Sequence, residues 1–278
     1  MTPQTAYVAD STLGLSPQEA AEQGIHTVPQ QVVVDGRSYR DHVEMTPEQV
    51  AEAQKAGKKI STSQVSPPEL EALYERLLHT YERVVSVHVS GKLSGTVQTA
   101  QTLAQKFGGR IRVLDSQSLN GGLQFVLDEA RHKLEAGVSW ERLEEAVAPL
   151  RARMRGYVLP ATLDYLRRGG RISGLQHFFG SLLKILPLLE IKDGAVDPVE
   201  RARGWNSGLR ALAERFHRQF PEGARVHLAH AYDQGALEEL RSHMKKEGVV
   251  IEGIRQAGAA VMAHTGPGTV AVFAAPLK

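Results

Sequence analysis

Val84-Val85-Ser86-Val87-His88-Val89, then Ser90-Gly91-Lys92-Leu93-Ser94-Gly95, then a segment whose Val97, Ala100, Leu103, Ala104 and Phe107 share one face: this stretch decides the fold. The β-branched run alternates with the period of a strand, the small-residue loop breaks it, and the apolar spacing that follows has the period of a helix. Strand, loop and helix in succession make one βα unit, from which parallel sheets are built. Ile111 to Leu114 repeats the arrangement, with Asp115-Ser116 at its end and a helix from about Gly122. Upstream, Tyr7 to Ala9 is a brief strand ending at Asp10-Ser11-Thr12, and Val28 to Val34 reads as one strand closing on the turn dipeptide Asp35-Gly36. The first half is therefore an α/β domain with a largely parallel sheet.

Between these units lies Ser61-Thr62-Ser63-Gln64, followed by a helix start. Ser66 stands at the N-cap, Pro67 at the first helical position, and Glu69 completes a capping box ahead of Leu70, Leu73 and Leu77; the helix is expected to reach about Tyr81. An amphipathic helix near Trp140 to Met154 leads to Gly156, where the texture changes. Two domains are expected, 1–155 and 156–278. The second carries a short helical piece, Leu163 to Arg168, ended by Gly169-Gly170, and an apolar stretch, Phe178 to Leu189, interrupted by Pro187. Strands at Val226–Ala229, Val249–Glu252 and Val270–Ala274 and a helix at Asp233–Lys246 complete it.

The 278 residues are 42% hydrophobic, enough to fill two cores. With 33 Lys+Arg against 31 Asp+Glu the formal charge is +2, too balanced for a general nucleic-acid binder. The absence of cysteine excludes disulfides, thiolate nucleophiles and cysteine-based metal or redox sites. The histidines show no HExxH or other metal spacing, so no metal is expected. No basic n-region opens the chain and no run approaches the ~18 apolar residues of a membrane span, so a cytoplasmic protein is expected.

Chemistry concentrates in three short polar strings. Thr62 precedes one helix and Ser94 opens another, where unpaired N–H groups and the helix dipole favour an anion such as a carboxylate or phosphate. Plain helix capping accounts for both hydroxyls equally well. Gly95 would let a ligand approach the backbone closely. His264-Thr265-Gly266-Pro267-Gly268 lies between apolar stretches and places the imidazole on a stiff turn, able to donate to a bound carboxylate. Arg167 and Arg168 suit a solvated helix C-terminus, whereas Arg171, beyond it in the glycine turn, could serve an anion. Arg201 and Arg203 follow the Asp193-Gly194 turn and read as surface charge.

Taken in order, these strings resemble the DegV family of bacterial lipid-binding proteins, whose members are similar to the fatty-acid-binding subunit of fatty acid kinase. The resemblance runs nearly end to end. It rests on Asp10-Ser11-Thr12, Asp35-Gly36 to Tyr39 and Asp41, Thr62-Ser63-Gln64, Leu93-Ser94-Gly95-Thr96, Asp115-Ser116, Leu163 to Ile172 and His264 to Gly268. It implies a two-domain fold, a parallel-sheet N-terminal domain and an α/β C-terminal domain with a mixed sheet, with one long-chain fatty acid between them. The carboxyl group would lie on Thr62 and Ser94, with Gly95, His264 and Arg171 nearby. A separate fatty acid kinase subunit would phosphorylate the acid to an acyl-phosphate for phospholipid synthesis, docking at the basic segment of Arg201 and Arg203. The chain itself would have no catalytic residue and no cofactor other than the bound acid, and would need at most transient membrane contact. Three departures are visible: Val65 where proline is frequent, Gly91 where a second serine is common, and Gln30 where an apolar residue is usual.

The sequence contains neither a Gly-x-x-x-x-Gly-Lys-Ser/Thr loop nor a kinase Gly-rich loop, so a phosphoryl donor must come from a partner. The rival reading is a hydrolase of acyl esters with Ser94 as nucleophile, His264 as base and Asp10 or Asp115 as orienting acid, though no Gly-x-Ser-x-Gly elbow is present. A third, a ligand-sensing module, shares the pocket and differs only in its partner.

Overall fold

The computed structural model describes residues 4–172 and 185–277. In chain order they form β1 (Thr5–Asp10), α1 (Pro17–Glu22), β2 (Ile25–Val28), β3 (Gln31–Val34), β4 (Arg37–Arg40), α2 (Pro47–Lys55), β5 (Ile60–Ser63), α3 (Pro67–Leu78), β6 (Arg83–His88), α4 (Thr96–Ala104), β7 (Ile111–Asp115), α5 (Gly121–Glu135) and α6 (Leu143–Arg153). There follow β8 (Arg155–Leu159), α7 (Asp164–Gly169), β9 (Ile185–Lys192), β10 (Ala195–Arg203), α8 (Trp205–Gln219), β11 (Ala224–His230), α9 (Gln234–His243), β12 (Val249–Gln256), α10 (Ala259–Thr265) and β13 (Val270–Ala275).

The expected parallel sheet is present, in the order β2-β1-β6-β7. Its central strands are buried on both faces, which is why they read as β-branched runs. On one face α3 and α4 cover Val8 and Val84 with Leu70, Tyr74, Leu77 and Leu103. On the other, α5 and α6 cover Ala9, Val85, Val87 and Leu114 with Leu123, Leu127, Leu143 and Val147. That core runs on into a six-stranded mixed sheet, β10-β9-β8-β13-β11-β12, through Val158, Leu189, Ile191 and Phe273. Alternation along β13 turns Val270, Val272 and Ala274 the other way, onto Leu209, Leu212 and Phe216 of α8 and Leu237 and Leu240 of α9. The result is five layers, with α5 and α6 shared between the two sheets.

Three local readings are corrected. Val28 to Val34 is two strands. Pro29 has no N–H to give a ladder, and the Gln30 N–H turns aside to Ser11 Oγ at 3.0 Å, so the chain leaves the parallel sheet and begins another. That second sheet, β4-β3-β5, is antiparallel, and Thr62 lies on its edge strand opposite Val32, not in a pre-helical loop. The α3 helix starts at Pro67 as its proline requires, but Ser66 makes no capping bond; Glu69 turns outward to Arg40 at 3.5 Å, and the helix stops at Leu78. The apolar stretch from Phe178 falls outside the described residues up to 184, and its remainder opens β9. No described helix is long and apolar enough to cross a membrane.

Candidate functional site

Strand order places the site. The switch point of the parallel sheet lies between β1 and β6, where crevices form at the carboxyl ends of α/β strands. Thr12 after β1, and Val89, Leu93, Ser94 and Gly95 after β6, line a cavity of about 400 Å³ there, within the usual range for small-ligand sites. Its opposite wall is the inner face of the six-stranded sheet, with Val158, Leu189, Ile191, Ala229, Ala271 and Phe273. Thr62, Gln64, His264 and Arg171 close one region of it.

Each polar group there is held from behind. The Ser94 loop is pinned by Ser94 N–H to Ser90 C=O at 3.1 Å and by Val89 N–H to the Asp10 carboxylate at 2.7 Å. Ser90 Oγ donates to Gly194 C=O at 2.7 Å, so the β9–β10 turn braces the loop from the other sheet. Asp10 is fully buried and also accepts from Thr12 and contacts His88 Nδ1 at 3.2 Å. Burial pushes its carboxyl up, but these partners outweigh that and hold it below the usual carboxylate range. His88 Nε2 continues to Ser86 Oγ and thence to the Tyr74 hydroxyl, each at 2.8 Å. Ser94 Oγ accepts from the Thr96 N–H at 3.3 Å, but the N-cap of α4 is Gly95 and the helix has no side-chain cap, so Ser94 stands one residue ahead of the capping position and lines the cavity.

Thr62 Oγ1 and His264 Nε2 are 2.7 Å apart. His264 stands in the last turn of α10 and not on the glycine turn that follows; the ladder bond of Gly266 N–H to Met262 C=O carries the helix past it. Both ends of α10 are gripped by the first half of the chain. Buried Asp41 faces the N–H groups of Ala259 and Ala260, where Gly258 leaves room: a Cβ there would lie 2.9 and 3.1 Å from the carboxylate oxygens. Gln54 Nε2 donates to the carbonyls of Met262 and Ala263 at 3.3 and 3.4 Å. Burial and the nearby Arg171 guanidinium lower the His264 imidazole to about 4, so the ring is neutral, and its Nδ1 has no hydrogen-bond partner among the described residues.

Two glycines give way to side chains. A Cβ on Gly95 would collide with Gln64 Oε1, so the absence of a side chain there lets Gln64 of the Thr62 string lie against the Ser94 loop; Gly95 itself lines the cavity. A Cβ on Gly169 would lie 2.6 Å from His264 Nδ1, so this glycine makes room for the ring. Arg171 is exposed, borders the cavity and donates to Gly169 C=O at 2.7 Å.

The hydrolase geometry is not assembled. His264 Nε2 is engaged by Thr62 and not Ser94, Asp10 serves His88, and Asp115 accepts from Gly91 and Gln117 N–H at 3.2 and 2.7 Å. Arg201 and Arg203 lie away from the cavity, exposed on the edge strand β10, on the face opposite buried Ala202.

The model of the DegV family matches residues 4–277. This chain belongs to the DegV family. A DegV domain-containing protein of Deinococcus radiodurans is 36% identical over 277 residues, covering 98% of this chain and 99% of the relative. A solved structure from Thermus thermophilus, described as a fatty-acid-binding DegV family protein, is 34% identical with a TM-score of 0.91, covering 99% of this chain and 100% of that one. One from Bacillus subtilis, described as DegV, a fatty acid binding protein, is 27% identical with a TM-score of 0.85, covering 98% and 99%. The two-domain architecture with a parallel and a mixed sheet is thus that of known DegV structures. In this DegV chain Gln30, Gln64 and Thr96 also belong to the polar region. Their signal in the sequence was adjacency: Gln64 and Thr96 close the strings that carry Thr62 and Ser94, and Gln30 follows a strand-breaking proline.

Proposed function

We propose that this chain is a carrier that buries one long-chain fatty acid in the cavity, holds its carboxylate on Thr62 and Ser94 beside His264 and Arg171, and presents that group to a separate kinase for acyl-phosphate formation. Domains 1–155 and 156–278 enclose the ligand, and the chain acts in the cytoplasm. The observation that carries the reading is that Thr62, on the antiparallel sheet, and Ser94, in the loop after the parallel sheet's β6, line one cavity whose walls are otherwise largely apolar. The fatty acids bound by similar DegV proteins fit that description.

Physically, the tail supplies affinity and the head supplies orientation. At ~0.8 kcal/mol per buried CH₂, a chain of about fifteen methylenes offers on the order of 12 kcal/mol before ordering and association costs. Hydrogen bonds to the carboxylate add less, but fix which end reaches the kinase. A carboxylate only accepts. It therefore selects the His264 tautomer with the proton on Nε2, which donates to Thr62 Oγ1 and releases the threonine proton to the ligand. Arg171 adds positive potential without ionising the ring.

Arg201 and Arg203, on an exposed edge, would dock the kinase. The test is ATP-dependent acyl-phosphate formation by a fatty acid kinase subunit with this chain and hexadecanoate. Turnover that requires the chain, and falls in a Thr62→Ala/Ser94→Ala variant, is expected. Turnover indifferent to the chain would reject the presentation role.

A further inference from the structure

Gln30 is a buried amide at the cavity wall, 4% exposed, in the link between β2 and β3. Its backbone is fixed from two sides: the N–H donates to Ser11 Oγ at 3.0 Å, and the C=O accepts from Asp41 N–H at 2.9 Å. Its Nε2 donates to Thr96 Oγ1 at 3.0 Å. Thr96 is fully buried, its Oγ1 lies 3.0 Å from Ser94 Oγ, and its N–H donates to that same oxygen at 3.3 Å.

A hydroxyl has one proton and two lone-pair sites. The Gln30 amide occupies an acceptor site on Thr96 Oγ1, so the Thr96 proton goes to the acceptor at hydrogen-bond distance, Ser94 Oγ. Ser94 then accepts twice from Thr96. Its own proton is left for the cavity. We infer that Gln30 is a positioning residue that sets the direction of the Ser94 hydroxyl, and with it the preference of the site for a head group that only accepts hydrogen bonds. The inference rests on the fatty-acid reading of the cavity and names a residue that acts on the ligand through two others. Remove the amide donor and the relay can run backwards. Ser94 then donates to Thr96 and turns lone pairs toward the ligand, which opposes a carboxylate and suits an alcohol.

The experiment is competition between hexadecanoate and 1-hexadecanol for the delipidated chain of 278 residues, read by native mass spectrometry as the ratio of the two complexes. The wild type is expected to favour hexadecanoate. Gln30→Leu should lower that ratio about tenfold, the worth of one charge-assisted hydrogen bond. Gln30→Glu, whose carboxylate draws the Thr96 proton to itself, should lower it further. In Gln30→Glu/Thr96→Val the relay is cut while the added charge stays, and the ratio should return to that of Thr96→Val alone. A structural role for Gln30 would weaken both ligands together and leave the ratio unmoved, overturning the inference. A shift that persists undiminished in the double variant would assign it to charge and overturn the inference equally. Gln30→Met carries the test where Gln30→Leu does not fold. A wild type that takes up neither probe removes the carrier reading and this inference with it; a wild type that takes up hexadecanoate, with variant ratios unchanged, removes the relay alone.

Discussion

Gly169→Ala isolates the contact between the two halves of the chain at His264. In a helix, alanine is favoured over glycine by about 1 kcal/mol, so the backbone gains from the change. The side chain does not. The new Cβ would lie 2.6 Å from His264 Nδ1 and 3.3 Å from its Cβ and Cγ, where ordinary contact begins at 3.4 Å, a shortfall of 3.4 − 2.6 = 0.8 Å. The ring cannot recover this by sliding away along the Nδ1–Nε2 line, because Thr62 Oγ1 already stands 2.7 Å from Nε2. It must swing out and lose the Thr62 bond. Overpacking costs about 1–3 kcal/mol and the lost bond about 1, which with the helical gain leaves a destabilisation of about 1–3 kcal/mol. Hexadecanoate binding should weaken about tenfold, since Thr62 is no longer held as a donor. Gly170→Ala is the control: its φ of +65° makes alanine costly by about 1–2 kcal/mol, yet among the described residues no atom beyond its chain neighbours lies within 4 Å of the added Cβ. It should lower the melting temperature and spare hexadecanoate binding. Thermal unfolding, native mass spectrometric titration and the His264 ring resonances check both variants. Unchanged binding and unmoved ring resonances in Gly169→Ala would refute the reasoning.

Ser94→Ala and Thr62→Val should each weaken hexadecanoate binding by about 1–2 kcal/mol and cost about 1 kcal/mol of stability through the lost Thr96 and His264 bonds, with the double variant read by the same titration; wild-type binding by the double variant would dissolve the shared site. Stability should fall with acid. Burial, with the neighbouring Arg171 for His264 and Arg255 and Arg225 for His227, lowers these imidazoles to about 4 and about 3, whereas unfolded histidine titrates near 6.5. As pH falls below about 6.5 the unfolded chain takes up protons that the fold refuses, so stability is full above that value and declines by up to ~1.4 kcal/mol per pH unit per histidine. Urea unfolding between pH 7 and 4 should show this, and His264→Gln should remove one proton's share of the slope; an unaltered slope would contradict it. Arg201→Ala and Arg203→Ala should spare fatty acid uptake and lower kinase-coupled turnover. Equal loss of both would place them in the cavity wall.

The parallel sheet was legible because its strands are buried on both faces and so write continuous β-branched runs, as at Val84–Val89, with a helix period directly behind each. The small antiparallel sheet was not. Ser61-Thr62-Ser63 has no apolar run, and its partner, the Gln31–Val34 strand, is distant in sequence, so only the three-dimensional pairing of Thr62 with Val32 makes it a strand. His264 was read on a turn because Gly266, Pro267 and Gly268 punctuate the chain there, while the preceding helix is seven residues long and rich in alanine, too short and small to show a period. What holds that helix, Asp41 at one end and Gln54 at the other, lies more than 200 residues upstream, and local sequence carries no trace of such contacts. Thr62, Ser94 and His264 were found by their order along the chain. The close approach of Gln64 to Gly95, and the room that Gly169 leaves for the His264 ring, are tertiary facts.

The most direct test of the central claim is native mass spectrometry of the purified, delipidated chain titrated with hexadecanoate, followed by extraction of the bound species. One equivalent of acid taken up by the wild type, and lost from Thr62→Ala/Ser94→Ala at the same concentration, is the result predicted for a carboxylate held between those hydroxyls. A wild-type chain that stays empty at saturating hexadecanoate, or a double variant that binds it undiminished, would contradict the account.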